Sequence, residues 1–252
     1  MSASLFAQAM REFFHHHHAW PGEFFEEQLA RIYSKLLEPG NVAVDIGAHT
    51  GYHSTRILER IGPSGAIYCI EPLPEIFELL SRNLKPYRNA TLINGVLSDS
   101  EGELSFQRAI GIPGESGLKE RQRYDLPNVK TETITVKSAT LDKLAHSFGR
   151  LDYIKIDTEG AELTILSAAE RVLKVLRPVV SVEWGCDTYL SYGHEAASLF
   201  RFARAHGYSV FDLFSNMVCS EREWMEVTDR AAWDFILVPD EKLAWYLYRL
   251  NA

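Results

Sequence analysis

The run Val42-Ala43-Val44-Asp45-Ile46-Gly47-Ala48-His49-Thr50-Gly51 constrains this chain more than any other stretch. It reads as a buried β-strand that ends in an acid and breaks into a glycine turn. Tyr52 to Ile61 then reads as a helix. Strand, tight turn and helix N-terminus together form the layout of a nucleotide-type cofactor site. Glycines at such a turn let the backbone bend sharply and approach a ligand closely. A second acid, Glu71, ends the next strand-like run, Ala66 to Ile70. An acid at that place can accept hydrogen bonds from ribose hydroxyls.

The alternation continues downstream. Pro74 to Leu84 reads as a helix with proline near its first turn, and Ala90 to Val96 as a third strand. Glu103 to Arg108 and Thr131 to Lys137 alternate apolar and polar residues, as half-exposed strands do. The stretch between them, Gly111 to Lys130, is rich in glycine, proline and charge, so 103–137 reads as a loop or hairpin insertion. Strands are then expected over Leu151 to Ile156 and Pro178 to Glu183, and helices over Gly160 to Val175 and Glu195 to His206. Two last strands, Ser209 to Phe214 and Asp234 to Val238, have no helix of normal length between them and should run antiparallel. The whole predicts an α/β fold with a mostly parallel, doubly wound sheet. Residues 1–40 read as an N-terminal helical extension, with a helix from Phe24 to Leu37 that stops near Pro39-Gly40.

Bulk properties narrow the function. The chain has 252 residues, 46% hydrophobic and 24% charged, enough for one α/β domain with decoration. A formal net charge of -8 argues against a general nucleic-acid surface. Cys69, Cys186 and Cys219 are far apart and form no CxxC pair, which speaks against a disulfide framework or a structural zinc site. No apolar run approaches membrane-spanning length, and Met1 to Phe14 lacks the pattern of a signal peptide. A cytoplasmic protein without membrane contact is expected; oligomeric state is not legible.

Two motifs carry chemistry. A nicotinamide-binding turn usually reads G-x-G-x-x-G, whereas here His49 stands where the second glycine belongs and Asp45 precedes the turn. An acid beside the cofactor suits a cationic or amine-bearing ligand better than a pyrophosphate. S-adenosylmethionine carries a sulfonium and an amino group and no phosphate. The second motif runs from Leu151 to Leu163 and delivers Asp157 and Glu159 to the carboxyl edge of the sheet, where open α/β folds bind ligands. Capping of the following helix accounts equally well for Glu159 and Glu162.

These pieces resemble the FkbM-type family of S-adenosylmethionine-dependent methyltransferases. The matching residues are Val44 to Tyr52, Ile70-Glu71-Pro72, Val96 to Asp99 with Gly102, Thr140-Leu141-Asp142, and Lys155 to Glu162. Their order and spacing hold over about 40–185, and the Lys-Ile-Asp-x-Glu-Gly-x-Glu block is the most specific. His49 departs from the asparagine expected there. The resemblance implies a Rossmann-like, seven-stranded methyltransferase domain over 41–252 with its last strand antiparallel. It implies the methionine end of the cofactor near Asp45, Gly47, His49 and Gly51, the ribose on Glu71, and the adenine near Val96 to Asp99, Ser98 among them.

Methyl transfer to an alcohol needs a proton acceptor. Asp157 is the first candidate, at the edge of the cofactor site, with Glu183 second and Glu159 beside it. His53 is a third candidate, although on the first helix packing or a surface role is the commoner fate, and Lys155 is expected to pair with a carboxylate. Asp157, Glu159 and Glu183 can also hold a divalent cation through oxygen ligands, but no spacing rule asks for one and metal is not expected. Trp184 can wall the acceptor pocket or pack the core. Trp245, Tyr246 and Tyr248 are expected to pack a terminal helix, and His15 to His18 to sit on a surface.

The expected activity is O-methylation of a small molecule, a sugar or glycan, or a polyketide-type product. A nicotinamide-dependent oxidoreductase and a non-catalytic cofactor-binding module of the same fold are the competing readings.

Overall fold

A computed structural model describes residues 22–120, 129–228 and 233–251; His15 to His18 lie outside the described residues. Helix α1 (Gly22–Leu36) repeats its apolar residues at helical spacing and buries Phe25, Leu29, Ile32, Tyr33 and Leu36. Strand β1 (Val42–Ile46), helix α2 (Tyr52–Ile61), strand β2 (Ala66–Glu71), helix α3 (Pro74–Asn83) and strand β3 (Ala90–Asn94) follow. Next come β4 (Val96–Leu97), β5 (Gly102–Ala109), β6 (Thr131–Ala139) and the short helix α4 (Leu141–Leu144). The second half adds β7 (Tyr153–Ile156), α5 (Glu162–Ser167), β8 (Val179–Glu183), α6 (Cys186–Tyr189) and α7 (Ser198–Ala205). The last described elements are β9 (Tyr208–Asp212), β10 (Met217–Val218), α8 (Glu221–Val227), β11 (Asp234–Pro239) and α9 (Leu243–Asn251).

The main sheet has the order β3-β2-β1-β7-β8-β11-β9-β10. β1, β2, β3, β7 and β8 pair in parallel, and β11 runs antiparallel to both β8 and β9. This is the expected seven-stranded arrangement with a two-residue strand, β10, added at the edge. The addition has a local cause. Asp212 Oδ1 accepts hydrogen bonds from the backbone of Phe214 and Asn216, both 2.9 Å, and folds the chain back into a hairpin. Strand order reverses between β1 and β7, which places a crevice at their carboxyl ends.

Side chains alternate across the strands. Val44, Ile46, Ile154 and Val180 join one core with α5 and α7. Ala43, Ile67, Tyr153 and Ile236 join the other with α1, α2 and the terminal helix α9. Each fully buried Leu, Ile or Phe contributes roughly 1.5–3 kcal/mol, so α1 is tied into the second core rather than resting on it.

Three expectations are corrected. Ala90 to Val96 is not one strand: β3 stays in the main sheet, and β4 pairs with β6 in a second sheet of order β4-β6-β5. The switch occurs at Gly95, where an added Cβ would lie 2.6 Å from the Lys137 carbonyl oxygen. The helix over Gly160 to Val175 is broken. α5 ends at Ser167, and a π-turn over Val172–Leu176 follows. Asp142 stabilises the second piece by accepting from the backbone of Arg171 and Val172 at 2.8 and 2.9 Å. The helix over Glu195 to His206 is shorter and spans Ser198–Ala205. The insertion is a hairpin: β5 and β6 pair antiparallel from Gly102↔Ser138 to Ala109↔Thr131. Leu73, Ile76, Phe106 and Val136 form a small core that anchors it over the crevice.

Candidate functional site

The turn after β1 is organised by main-chain contacts. Gly47 and Ala48 both donate to the Ile70 carbonyl, at 3.0 and 2.9 Å. Gly47 has φ 81°, and a Cβ there would sit 1.8 Å from the Asp157 carbonyl oxygen. Only glycine fits where the end of β7 passes so close. The His49 backbone donates to Glu71 Oε2 at 3.0 Å, and Leu73 donates to Oε1 at 2.9 Å. Each Glu71 oxygen keeps a free lone pair. Burial pushes the Glu71 carboxyl up to about 7 against those two hydrogen bonds. Burial also lowers the His49 imidazole.

Asp45 is fully buried. Its Oδ2 accepts from Ser54 Oγ at 2.5 Å, while its Oδ1 is buried without a partner. An orphaned carboxylate oxygen is costly unless a ligand donor completes it.

The ends of β7 and β8 form the adjoining wall. Lys155, buried in the sheet edge, places its Nζ 2.9 Å from Asp157 Oδ2, the pairing expected for it. Asp157, Glu159 and Glu183 bring one carboxylate oxygen each within 4.8 Å of one another. Burial raises Asp157, but the Lys155 ammonium and the hydrogen bond from Glu183 outweigh it and hold Asp157 down at about 2. Glu183 is pushed well up, first by burial and then by the Asp157 and Glu159 charges, and it shares a hydrogen bond with Asp157. Glu162 serves the turn: its Oε1 accepts from the backbones of Thr158 and Gly160 and from Thr158 Oγ1. His49 and Glu159 are non-glycine residues with positive φ, at 48° and 61°, and both line the cavity. Strain of this kind concentrates at working sites.

These walls enclose a cavity of about 600 Å³, within the range typical of small-molecule sites. Asp45, Gly47, His49, Glu71, Asp157, Glu159 and Glu183 all line it. Ser98 does not; the wall there is Gly95, Val96 and Leu97, while Ser98 Oγ bonds Asp99 at 3.2 Å. Gly51 is also absent from the lining and serves the turn, with φ 89°. Trp184 packs the core, fully buried and stacked on Tyr189 at 4.9 Å. Tyr246 is buried against Phe211, whereas Trp245 and Tyr248 are exposed.

Several lining residues escaped the sequence reading. Glu23, Glu26 and Glu27 come from α1, Tyr52 from α2, and Phe106, Ser116 and Leu118 from the hairpin and its loop, while His53, weighed as a third base, lines the cavity from α2. The acids of α1 stand at i, i+3 and i+4, one face of a helix, but a charged helix face ordinarily reads as solvated. His53 is buried, with Tyr33 Oη 3.0 Å from Nδ1 and Glu26 on Nε2.

The donor set fits an amine-bearing nucleoside better than a dinucleotide. Carboxylates line the cavity on every side and Lys155 is already paired, so a pyrophosphate would meet like charge. The sequence pattern of the methyltransferase FkbM domain matches residues 45–210. The chain belongs to the FkbM methyltransferase family. The family uses S-adenosylmethionine. The 2-O-methyltransferase NoeI of Sinorhizobium fredii is 27% identical over 164 residues, covering 58% of this chain and 65% of that protein. A protein-L-isoaspartate O-methyltransferase of Methanothrix thermoacetophila is 39% identical over 69 residues, 26% of this chain and 33% of its own length. The solved FkbM methyltransferase of Methylobacillus flagellatus KT shares the fold, with TM-score 0.52 and 15% identity over 94% of this chain and 55% of that one. The chain thus spans less than two-thirds of the length of each of these relatives. No helix among the described residues is long and apolar enough to cross a membrane.

Proposed function

We propose that this FkbM methyltransferase O-methylates a hydroxyl of a small molecule, with sugars, glycans and polyketide-type products as the acceptor class. The observation that carries the reading is the Asp157 carboxylate, held ionised beside Lys155 on the cavity wall next to the β1 turn. NoeI, by its name a 2-O-methyltransferase, supports oxygen as the nucleophile. The carboxylate-rich lining favours such an acceptor over a nucleic acid, whose phosphates it repels. The helical segment within 1–40 and the hairpin near 103–137 set acceptor choice in this reading.

When bound, S-adenosylmethionine supplies a methyl group already activated by its sulfonium. Asp45 Oδ1 receives the amino group and Glu71 the ribose hydroxyls. The task left to the chain is alignment and proton removal. Asp157 accepts a hydrogen bond from the acceptor hydroxyl and takes its proton as the new C–O bond forms. A carboxylate near 2 is a weak base, so its first contribution is orientation, with the proton arriving late. Glu183, raised by burial and by the Asp157 and Glu159 charges, is assigned the supporting role of keeping Asp157 in place. Lys155 occupies the position beside Asp157 that a cation would take, and the reaction is proposed to run without metal.

Thermal denaturation with S-adenosylhomocysteine and with NAD tests the cofactor. Stabilisation of about 2.7 kcal/mol is expected at a hundredfold excess of S-adenosylhomocysteine over its dissociation constant, and none with NAD. Methyl-labelled S-adenosylmethionine and a cell extract test the chemistry, with the label expected on oxygen. Stabilisation by NAD alone, or a label found only on nitrogen, would sink the reading.

A further inference from the structure

The matched family segment starts at residue 45, yet part of the cavity wall comes from α1, which precedes it. The apolar face of α1 fixes the helix on the sheet, and its acidic face is left toward the cavity. Glu27 is already engaged there: it accepts from Tyr52 Oη at 2.6 Å and pairs with Arg56 at 2.7 Å. Glu26 is held differently. His53 bridges it to Tyr33, with Nε2 on Glu26 and Nδ1 on the Tyr33 hydroxyl.

The proton positions follow from the two partners. A carboxylate only accepts, so Nε2 carries a hydrogen and donates it to Glu26 Oε2. In that tautomer Nδ1 accepts from the Tyr33 hydroxyl. Both ring nitrogens are then occupied. The imidazole is a strut and not a base. The Glu26 side chain keeps 48% exposure and lines the cavity, so its remaining acceptor capacity is open to a ligand. Burial lowers the Lys155 ammonium, and Asp157, Asp45 and, more weakly, Glu26 outweigh it, so Glu26 lies within electrostatic reach of Lys155.

We propose that Glu26 is an acceptor-binding residue: held by His53 and Tyr33, its carboxylate accepts a hydrogen bond from a second donor group, a hydroxyl or an ammonium, beside the acceptor's reacting hydroxyl. The assignment rests on the methyl-transfer reading of the cavity and adds the acceptor's chemistry to it. The substrate is a diol or an amino alcohol. Anionic acceptors are rejected, because a phosphate or carboxylate would face Glu26 directly. His53 and Tyr33 are positioning residues that act through Glu26.

The test uses the full chain and a cell extract separated by ion exchange into anionic, neutral and cationic metabolite pools. Each pool is incubated with methyl-labelled S-adenosylmethionine. Label is expected in the neutral pool, which marks a hydroxyl on Glu26, or in the cationic pool, which marks an ammonium. In Glu26→Gln the amount of that pool giving half-maximal rate rises about tenfold, while the maximal rate stays within about threefold. Its affinity for S-adenosylhomocysteine by calorimetry stays within about twofold. Tyr33→Phe shows the same split at smaller amplitude. Nitrogen NMR of the His53 ring, which needs no turnover, is expected to place the proton on Nε2.

Label confined to the anionic pool, label in no pool, or an unchanged half-saturation in Glu26→Gln overturns the assignment. A ring protonated on Nδ1 removes the strut and overturns it as well. A wild-type chain that binds no S-adenosylhomocysteine fails at the methyl-transfer reading first, and the assignment falls with it.

Discussion

The two walls of the cavity are made in different ways. The wall proposed for the cofactor comes from the two turns that follow β1 and β2, and its contacts are mainly backbone N–H groups, a buried carboxylate and a glycine. The wall proposed for the acceptor gathers Glu26, His53, Asp157 and Glu183 from α1, α2 and the ends of β7 and β8. Covalent continuity positions the first. Packing of distant elements positions the second. A ligand common to a whole family is well served by the first kind of wall, because the turn fixes its own geometry. The second kind can change side chain by side chain without disturbing the sheet.

The largest expected effect separates the walls by function. Asp157→Asn keeps the shape and removes the charge, and transfer should fall about 10²–10⁴-fold. Affinity for S-adenosylhomocysteine, measured by calorimetry, should stay within severalfold. An active Asp157→Asn enzyme would remove the base from the acceptor wall.

Gly47→Ala tests the other wall and couples the two. The added Cβ would collide with the Asp157 carbonyl oxygen, which is backbone and cannot step aside, and the residue has φ 81°. A stability loss of about 3 kcal/mol or more is expected in urea denaturation. A Gly47→Ala protein as stable as wild type would mean that β1 and β7 are not locked together at the switch point.

The difference between the walls also explains what the sequence reveals. Asp45, Gly47 and Glu71 are legible because strand, turn and acid lie within one local pattern, and the sheet order follows from the alternation around them. Lys155 and Asp157 are legible for the same reason, two residues apart on one strand end. Glu26 and His53 are not. Their partnership spans 27 residues and two helices, and each alone reads as surface or packing. Ser98 misleads in the opposite direction: the strand switch at Gly95 turns it away from the cavity, and nothing local announces that switch. Glu162 shows a third case, in which helix capping and site chemistry share the same residue types and only the bonds to Thr158 and Gly160 decide.

A pH series sharpens the contrast with a smaller effect. Burial raises the Glu71 carboxyl from an ordinary 4.5 to about 7. A folded-state value above the unfolded one gives stability that is complete below about 4.5 and is lost as pH rises through about 7. The ligand-free protein should therefore lose thermal stability across that window. Binding has the opposite slope if ribose hydroxyls need the ionised carboxylate: affinity for S-adenosylhomocysteine should weaken up to about tenfold per unit as pH falls below 7. Glu71→Gln should flatten the binding curve and lessen the stability slope, part of which stays with the raised Glu183 and Asp234. Asp157, held at about 2, should contribute no slope in this range.

Removal of metal is expected to have the least effect, and it decides how the acceptor wall balances its charge. Asp157, Glu159 and Glu183 are close enough to share a divalent cation. A cation among them would compete with two devices already present: the Lys155 ammonium 2.9 Å from Asp157, and the hydrogen bond that Glu183 shares with it. Binding would displace that hydrogen bond and weaken the ion pair, both at a cost in a half-buried setting. Exhaustive chelation should then leave the transfer rate within about twofold, since neither device depends on metal. A larger loss, restored by magnesium, would assign the three carboxylates to a cation. Lys155→Met completes the comparison: with the ammonium gone, Asp157 loses its main counter-charge, and the same wall should gain affinity for magnesium that the wild type lacks.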